Sequence, residues 1–173
     1  VLLKVLEIQE LASNYYFDCI NNNPSKKATL FLKNRISFKE IINNFRLGYA
    51  TESNRDLFNF LQKKGYEKNT ILSSGLCAKN EKGDIYDRFR DRIIFPIFNS
   101  SNRVVGFGGR ALNSSANAKY LNSSETEVFQ KRKLLFNENN CLKNLKKNSA
   151  VIIVEGYMDV IGLTKIGLKN CMA

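Results

Sequence analysis

Two carboxylates near the end of the chain, Glu155 and Asp159, have a spacing that chemistry on phosphate could use. Glu155 closes the apolar run Val151-Ile152-Ile153-Val154, and Asp159 follows four residues later. A strand running into a helix would turn both acids to one crevice at the carboxyl edge of a sheet. Hard oxygen ligands so placed hold Mg²⁺ through few protein contacts and leave coordination positions for phosphate and water. The same spacing also suits two acids that merely favour the positive end of a helix dipole. A second constellation is cationic: Arg88, Arg90 and Arg92 alternate, and on extended backbone they would line one face, as contact with a phosphate backbone requires. The bland alternative is a solvated strand laced to Asp84, Asp87 and Asp91. The third is Val104-Val105-Gly106-Phe107-Gly108-Gly109-Arg110, where three glycines in four positions predict a bulge or another backbone close by, with Arg110 beside it. Downstream, Lys119, Tyr120, Asn122 and Lys131 add two cations, a stacking aromatic and an amide, a mixture suited to single-stranded nucleic acid.

Several elements must position these groups. Apolar residues at helical spacing from Leu2 predict a helix ending near Cys19, before the break at Asn21–Pro24. Short amphipathic stretches predict helices over 25–35 and 37–45, the second capped by Ser37 with Glu40 three residues on. Leu47–Ala50 leaves the helical pattern, and Arg55–Lys64 returns to it, closed by Lys63, Lys64 and Gly65. Arg92–Phe98 and Val104–Phe107, rich in Ile, Val and Phe, predict a hairpin about the polar turn 99–102. Pro96 places its strand at an edge or beside a bulge. Helical starts are expected at Glu125–Asn137 and a short basic helix at Leu142–Lys147. Val151–Val154, the turn Glu155-Gly156 and Tyr157–Ile166 form a strand–turn–helix, and Cys171–Ala173 would begin the next parallel strand.

Composition narrows the chemistry. Lys and Arg total 27 against 16 Asp and Glu, a net charge of +11, the balance of a protein that meets phosphate. Lysines in a chain this rich in Asn, Lys and Ile can be ordinary solvated surface, but five of nine arginines fall between Arg88 and Arg110. With no histidine and four widely spaced cysteines, zinc sites and histidine-based catalysis are disfavoured. No apolar run approaches the roughly 20 residues of a membrane span, so a cytoplasmic location without a membrane partner is expected.

Four segments in series carry a resemblance: Tyr86–Ile97, Val105–Arg110, Lys119–Thr126 and Val154–Val160. In order and near spacing they resemble the bacterial DnaG-type DNA primases, over roughly Ala28 to Ala173. The resemblance implies an α+β fold: a small helical and β-hairpin basic subdomain over 26–148, preceded by a helix and linker over 1–25. The first strand–turn–helix of a Toprim α/β sheet follows over 149–173. It implies RNA primer synthesis on single-stranded DNA from ribonucleoside triphosphates, with Mg²⁺ or Mn²⁺. Glu155 matches the family's metal-binding, catalytic glutamate and Asp159 its neighbouring acid. Arg88, Arg90, Arg92, Arg110, Lys119 and Lys131 match positions for template and initiating nucleotides, joined by Tyr120 and Asn122; Arg35 matches a template-holding arginine. Ile36 and Ser124 depart from the family's usual Gly and Pro. On this expectation the chain is a fragment cut within the Toprim unit, inactive alone and frayed at its last residues. The zinc of an amino-terminal domain and a replicative helicase bound through a carboxy-terminal domain would belong to other parts of the protein. The alternatives are a non-catalytic single-stranded nucleic-acid-binding module and another Toprim enzyme.

Overall fold

A computed structural model describes residues 2–36, 39–146 and 150–173. Helix α1 (Leu2–Asn22) buries Val5, Ile8, Ala12, Tyr16 and Ile20, an apolar stripe at helical spacing. It runs three residues past the expected stop. Ser25 caps α2 (Lys26–Phe31) by accepting from the Ala28 amide at 3.2 Å. A π-helical turn, Leu32–Ile36, follows, then α3 (Lys39–Asn44). The expected Ser37 cap lies outside the described residues.

The central sheet is antiparallel in the order β1-β4-β5-β6, from β1 (Gly48–Ala50), β4 (Arg92–Phe98), β5 (Val104–Ala111) and β6 (Tyr120–Asn122). Both faces are covered, and this explains why β4 reads as a continuous apolar run rather than an alternating one. Ile93, Phe95 and Ile97 face a core shared with Phe45, Phe129 and Phe136. Ile94 and Phe107 face the opposite core, with Tyr16 of α1 and Leu57, Phe58 and Leu61 of α4 (Asp56–Lys63). Pro96 sits in an inner strand, yet both of its predicted tolerances are present: β1 accompanies only Arg92–Ile94, and the register shifts at Ile97/Phe98.

Beside this sheet stand α5 (Lys68–Ser73) and a small hairpin, β2 (Cys77–Lys79) with β3 (Ile85–Asp87). The segment expected to start a helix at Glu125 is instead irregular, with one 3₁₀ turn at Lys131–Lys133, because Phe129 leaves it to enter the core. Helix α6 (Glu138–Asn144) starts four residues before the expected basic helix and overlaps it only over 142–144. Then β7 (Ile152–Ile153) and β8 (Cys171–Met172) pair in parallel across α7 (Tyr157–Lys165), the predicted strand–turn–helix. The expected boundary at 148/149 lies outside the described residues. On its far side, Val160, Ile161 and Cys171 pack into the same core as Phe95 and Phe136. The last residues are not frayed: Cys171 and Met172 are buried, and Ala173 exchanges backbone hydrogen bonds with Phe136 at 2.6 and 3.2 Å.

Candidate nucleic-acid interface and carboxylate cleft

Glu155 lies two residues beyond β7, after Val154, and Asp159 lies in the first turn of α7; both are exposed. They border a cleft of about 660 Å³ whose walls also carry Tyr120, Asn122, Lys131, Arg132 and Tyr157. The structure thus brings the two acids together with four cationic, aromatic and amide groups from β6 and the 3₁₀ turn. No group of three or more His, Cys, Asp or Glu able to hold a metal is present among the described residues. Two exposed carboxylates fit a Mg²⁺ ion that keeps most of its ligands as water and phosphate; Glu155 and Asp159 are the residues that would hold it.

Tyr157 forms the floor. Its ring lies 5.2 Å from Phe95, 4.8 Å from Phe136 and 6.2 Å from Tyr120 between centroids. Its hydroxyl donates to Asn122 Oδ1 at 2.7 Å, and burial pushes its pKa up to about 12. The glycine run of β5 makes room for such rings rather than for a second backbone, which corrects that half of the sequence reading; the other half, a bulge, is present at its start, where the register shifts between Ile97–Gly106 and Phe98–Val104. A Cβ on Gly106 would stand 2.4 Å from the Phe129 ring, one on Gly108 2.3 Å from Tyr157 and one on Gly109 2.6 Å from Phe89. Alternation of the strand sends Phe129 and Tyr157 to one face and Phe89 to the other.

Arg110 stands at the end of this strand with its guanidinium 4.7 Å from the Phe31 ring and 5.7 Å from Tyr120. Between two aromatics, it gains cation–π contact while its Nε is buried without a hydrogen-bond partner among the described residues. Tyr120 links this cation to the cleft.

The alternating arginines do not form the row their spacing predicts. β3 ends at Asp87, and Asp91 has a φ of 48°, so the backbone from 88 to 91 is not a strand. The three side chains diverge. Arg88 donates from Nε to the Asn122 carbonyl at 3.0 Å, at the edge of the cleft. Arg90 lies 5.1 Å over the Tyr86 ring, in a separate groove with Asn54, Arg55 and Asp84. Arg92 is buried and spends its guanidinium on the carbonyls of Gly109, Ala118 and Lys119 at 3.1, 3.0 and 3.5 Å. It fixes the backbone that presents Lys119 and Tyr120, so its contribution to the site passes through those neighbours. Lys119 and Lys131 are exposed. Arg35 is exposed on the π-helical turn, its carbonyl accepts from Lys165 of α7 at 3.5 Å, and it is not among the residues that line the cleft.

The comparisons with known proteins point to one family. The family model of the DNA primase catalytic core, N-terminal domain, matches residues 15–142. The chain belongs to this DNA primase family. The DNA primases of Staphylococcus aureus (strain COL) and Staphylococcus epidermidis are each 38% identical over 173 residues, 99% of this chain but 29% of theirs. The chain therefore spans less than a third of those relatives. The RNA polymerase domain of Mycobacterium tuberculosis primase DnaG superposes with a TM-score of 0.92 at 28% identity, over 100% of this chain and 56% of that one. A DnaG primase catalytic domain bound to ssDNA superposes with a TM-score of 0.88 at 29% identity, over 99% of this chain and 55% of that one. No described helix is long and apolar enough to cross a membrane.

Four residues that support the fold around the site or the site itself were missed in the sequence of this primase chain. Asp87, taken as a solvated partner for arginine, is buried and accepts from the Leu57 and Phe58 amides at 2.8 and 3.0 Å, capping α4 from 29 residues away or more. Its distance in sequence hid that role. Arg132 was equally silent, because it stands in no motif, and nothing local in the sequence of Phe31 announces its contact with Arg110. Tyr157 had a signal: an aromatic with a polar tip directly after Glu155-Gly156, facing a glycine-rich strand.

Proposed function

We propose that this chain is the amino-terminal part of the RNA-polymerising core of a bacterial DnaG-type primase, together with the first carboxylates of its Toprim metal site. The observation that carries the proposal is the cleft in which Glu155 and Asp159 face Tyr120, Asn122, Lys131 and Arg132. Acids that hold a cation and cations that hold phosphate share one opening there, as nucleotidyl transfer on a polyanionic template requires. The subdomain limits 26–148 and 149–173 belong to the same reading.

Template single strand lies along Arg110, Tyr120 and Lys119, with bases stacking on the exposed tyrosine and phosphates meeting the cations. Arg88 and Lys131 extend this contact, Arg90 and Arg35 reach the strand outside the cleft, and Arg92 holds the ledge. Ribonucleoside triphosphate and the growing RNA primer occupy the cleft. Bound Mg²⁺ or Mn²⁺ supplies charge neutralisation for the phosphates. Glu155 is its principal ligand in this chain, and Asp159, the second carboxylate, tunes the site more than it anchors the ion. The proposal places the protein in the cytoplasm at the replication fork, with zinc and the replicative helicase engaging other domains; a solved Aquifex aeolicus primase spanning zinc-binding and RNA polymerase domains supports the former.

Primer synthesis by the full-length protein tests this reading. Arg110→Ala should weaken single-strand binding, flatten its log–log salt dependence by about 0.7, and slow synthesis in a way that excess template partly restores. Unchanged affinity and salt slope in Arg110→Ala would refute the template assignment.

A further inference from the structure

Asn122 stands where the basic strand meets the carboxylates, and its polar atoms are unequally occupied. Its backbone carbonyl accepts from Arg88 Nε at 3.0 Å and its Oδ1 accepts from the Tyr157 hydroxyl at 2.7 Å. Its Nδ2 has no partner among the described residues, and the side chain lines the cleft. An amide bonded through oxygen alone must present its two N–H donors on the other edge. The hydroxyl that imposes this orientation is itself fixed. Its ring is held between Phe95 and Phe136, over Gly108, the residue paired with Asn122 in the sheet.

We infer that Tyr157 is a positioning residue that locks the Asn122 amide with its nitrogen toward the cleft, where it donates to an acceptor oxygen on the incoming ribonucleotide. The ligand chemistry is a phosphate or sugar oxygen, because Asn122 Nδ2 can only donate and Lys131 and Arg132, on the same cleft, attract the same groups. Tyr157 also starts α7 one residue after the Glu155-Gly156 turn, so the same bond ties the nucleotide-facing amide of β6 to the element that carries the carboxylates. The inference rests on the polymerase reading of the cleft but is scored without turnover.

The test is the anisotropy of a fluorescently labelled ribonucleoside triphosphate bound to full-length protein and template, for Tyr157→Phe, Asn122→Ala and the double variant. Phe keeps the ring and its packing and deletes only the oxygen. Tyr157→Phe should weaken nucleotide binding about tenfold, as loss of one hydrogen bond to a charged group does. Asn122→Ala should do the same, and the double variant should be no worse than Asn122→Ala, since Tyr157 acts through that amide. A thermal midpoint for Tyr157→Phe within about 2 °C of the parent separates positioning from unfolding. Unchanged nucleotide affinity in Tyr157→Phe, or losses that multiply in the double variant, would overturn the inference. Primer synthesis by Glu155→Gln, run beside it, reports on the polymerase reading alone.

Discussion

Adding one methyl group to Gly108 should damage the molecule through a single contact. An ideal Cβ there lies 2.3 Å from Tyr157 Cε2, 2.6 Å from Cζ and 2.7 Å from the hydroxyl. The ring cannot retreat, because Phe95 and Phe136 pack against it. Overpacking of this kind costs about 1–3 kcal/mol, and pushing the ring away forfeits the bond to Asn122, worth about 0.5–1.5 kcal/mol. Replacing Gly by Ala in a strand returns about 0.5–1 kcal/mol of backbone entropy. The net loss is about 2 kcal/mol, or roughly 4–8 °C in thermal midpoint for a chain of this size. Gly162, in α7 with nothing near its missing Cβ, is the control: Gly162→Ala should leave the midpoint unchanged or raise it. Thermal unfolding of the 173-residue chain, followed by far-ultraviolet circular dichroism, reads both. In a Tyr157→Ala background the Gly108→Ala methyl should cost nothing further. A Gly108→Ala midpoint equal to that of the parent, or the same loss in the Tyr157→Ala background, would refute the steric argument.

Asp87→Ala should destabilise the protein by about 2–3 kcal/mol in urea unfolding, since it strips two amides of α4 of their buried acceptor; Glu81→Ala, on an exposed turn, should cost nothing measurable. Alkaline stability should fall above pH 10, because the Tyr157 phenol titrates from 10.0 to about 12 on folding. A folded-state pKa raised in this way stabilises at low pH and is lost as pH climbs from the unfolded value through the folded one. Tyr157→Phe should therefore show a shallower decline between pH 10 and 12 in the same unfolding assay, and an unchanged slope would count against the buried phenol.

What could be read from the residues was whatever local period or spacing encodes. The 92–98 and 104–107 strands, the β7–α7–β8 unit and α1 all announce themselves through apolar periodicity, and Glu155 and Asp159 fall in one cleft because strand–turn–helix geometry leaves them no other edge. Asp91 was the residue that misled: its left-handed backbone ends the extended path that would have aligned Arg88, Arg90 and Arg92. An aspartate adopts that conformation at modest cost, and nothing nearby in sequence demands it. The segment from Glu125 failed for another reason, since pulling Phe129 onto Gly106 is a tertiary requirement that outweighs local helix propensity. The glycine run was recognised as a place of close approach, but which groups approach is decided by Phe89, Phe129 and Tyr157, up to 49 residues from the glycine each one meets.

The most direct measurement is Mg²⁺-dependent ribonucleotide incorporation on a single-stranded DNA template by full-length Glu155→Gln, with template affinity measured on the same sample. The amide keeps the shape of the side chain and removes the charge that holds a metal. The account predicts loss of synthesis with template affinity nearly intact. Normal synthesis by Glu155→Gln would contradict it, leaving Glu155 as a residue that only ends a strand.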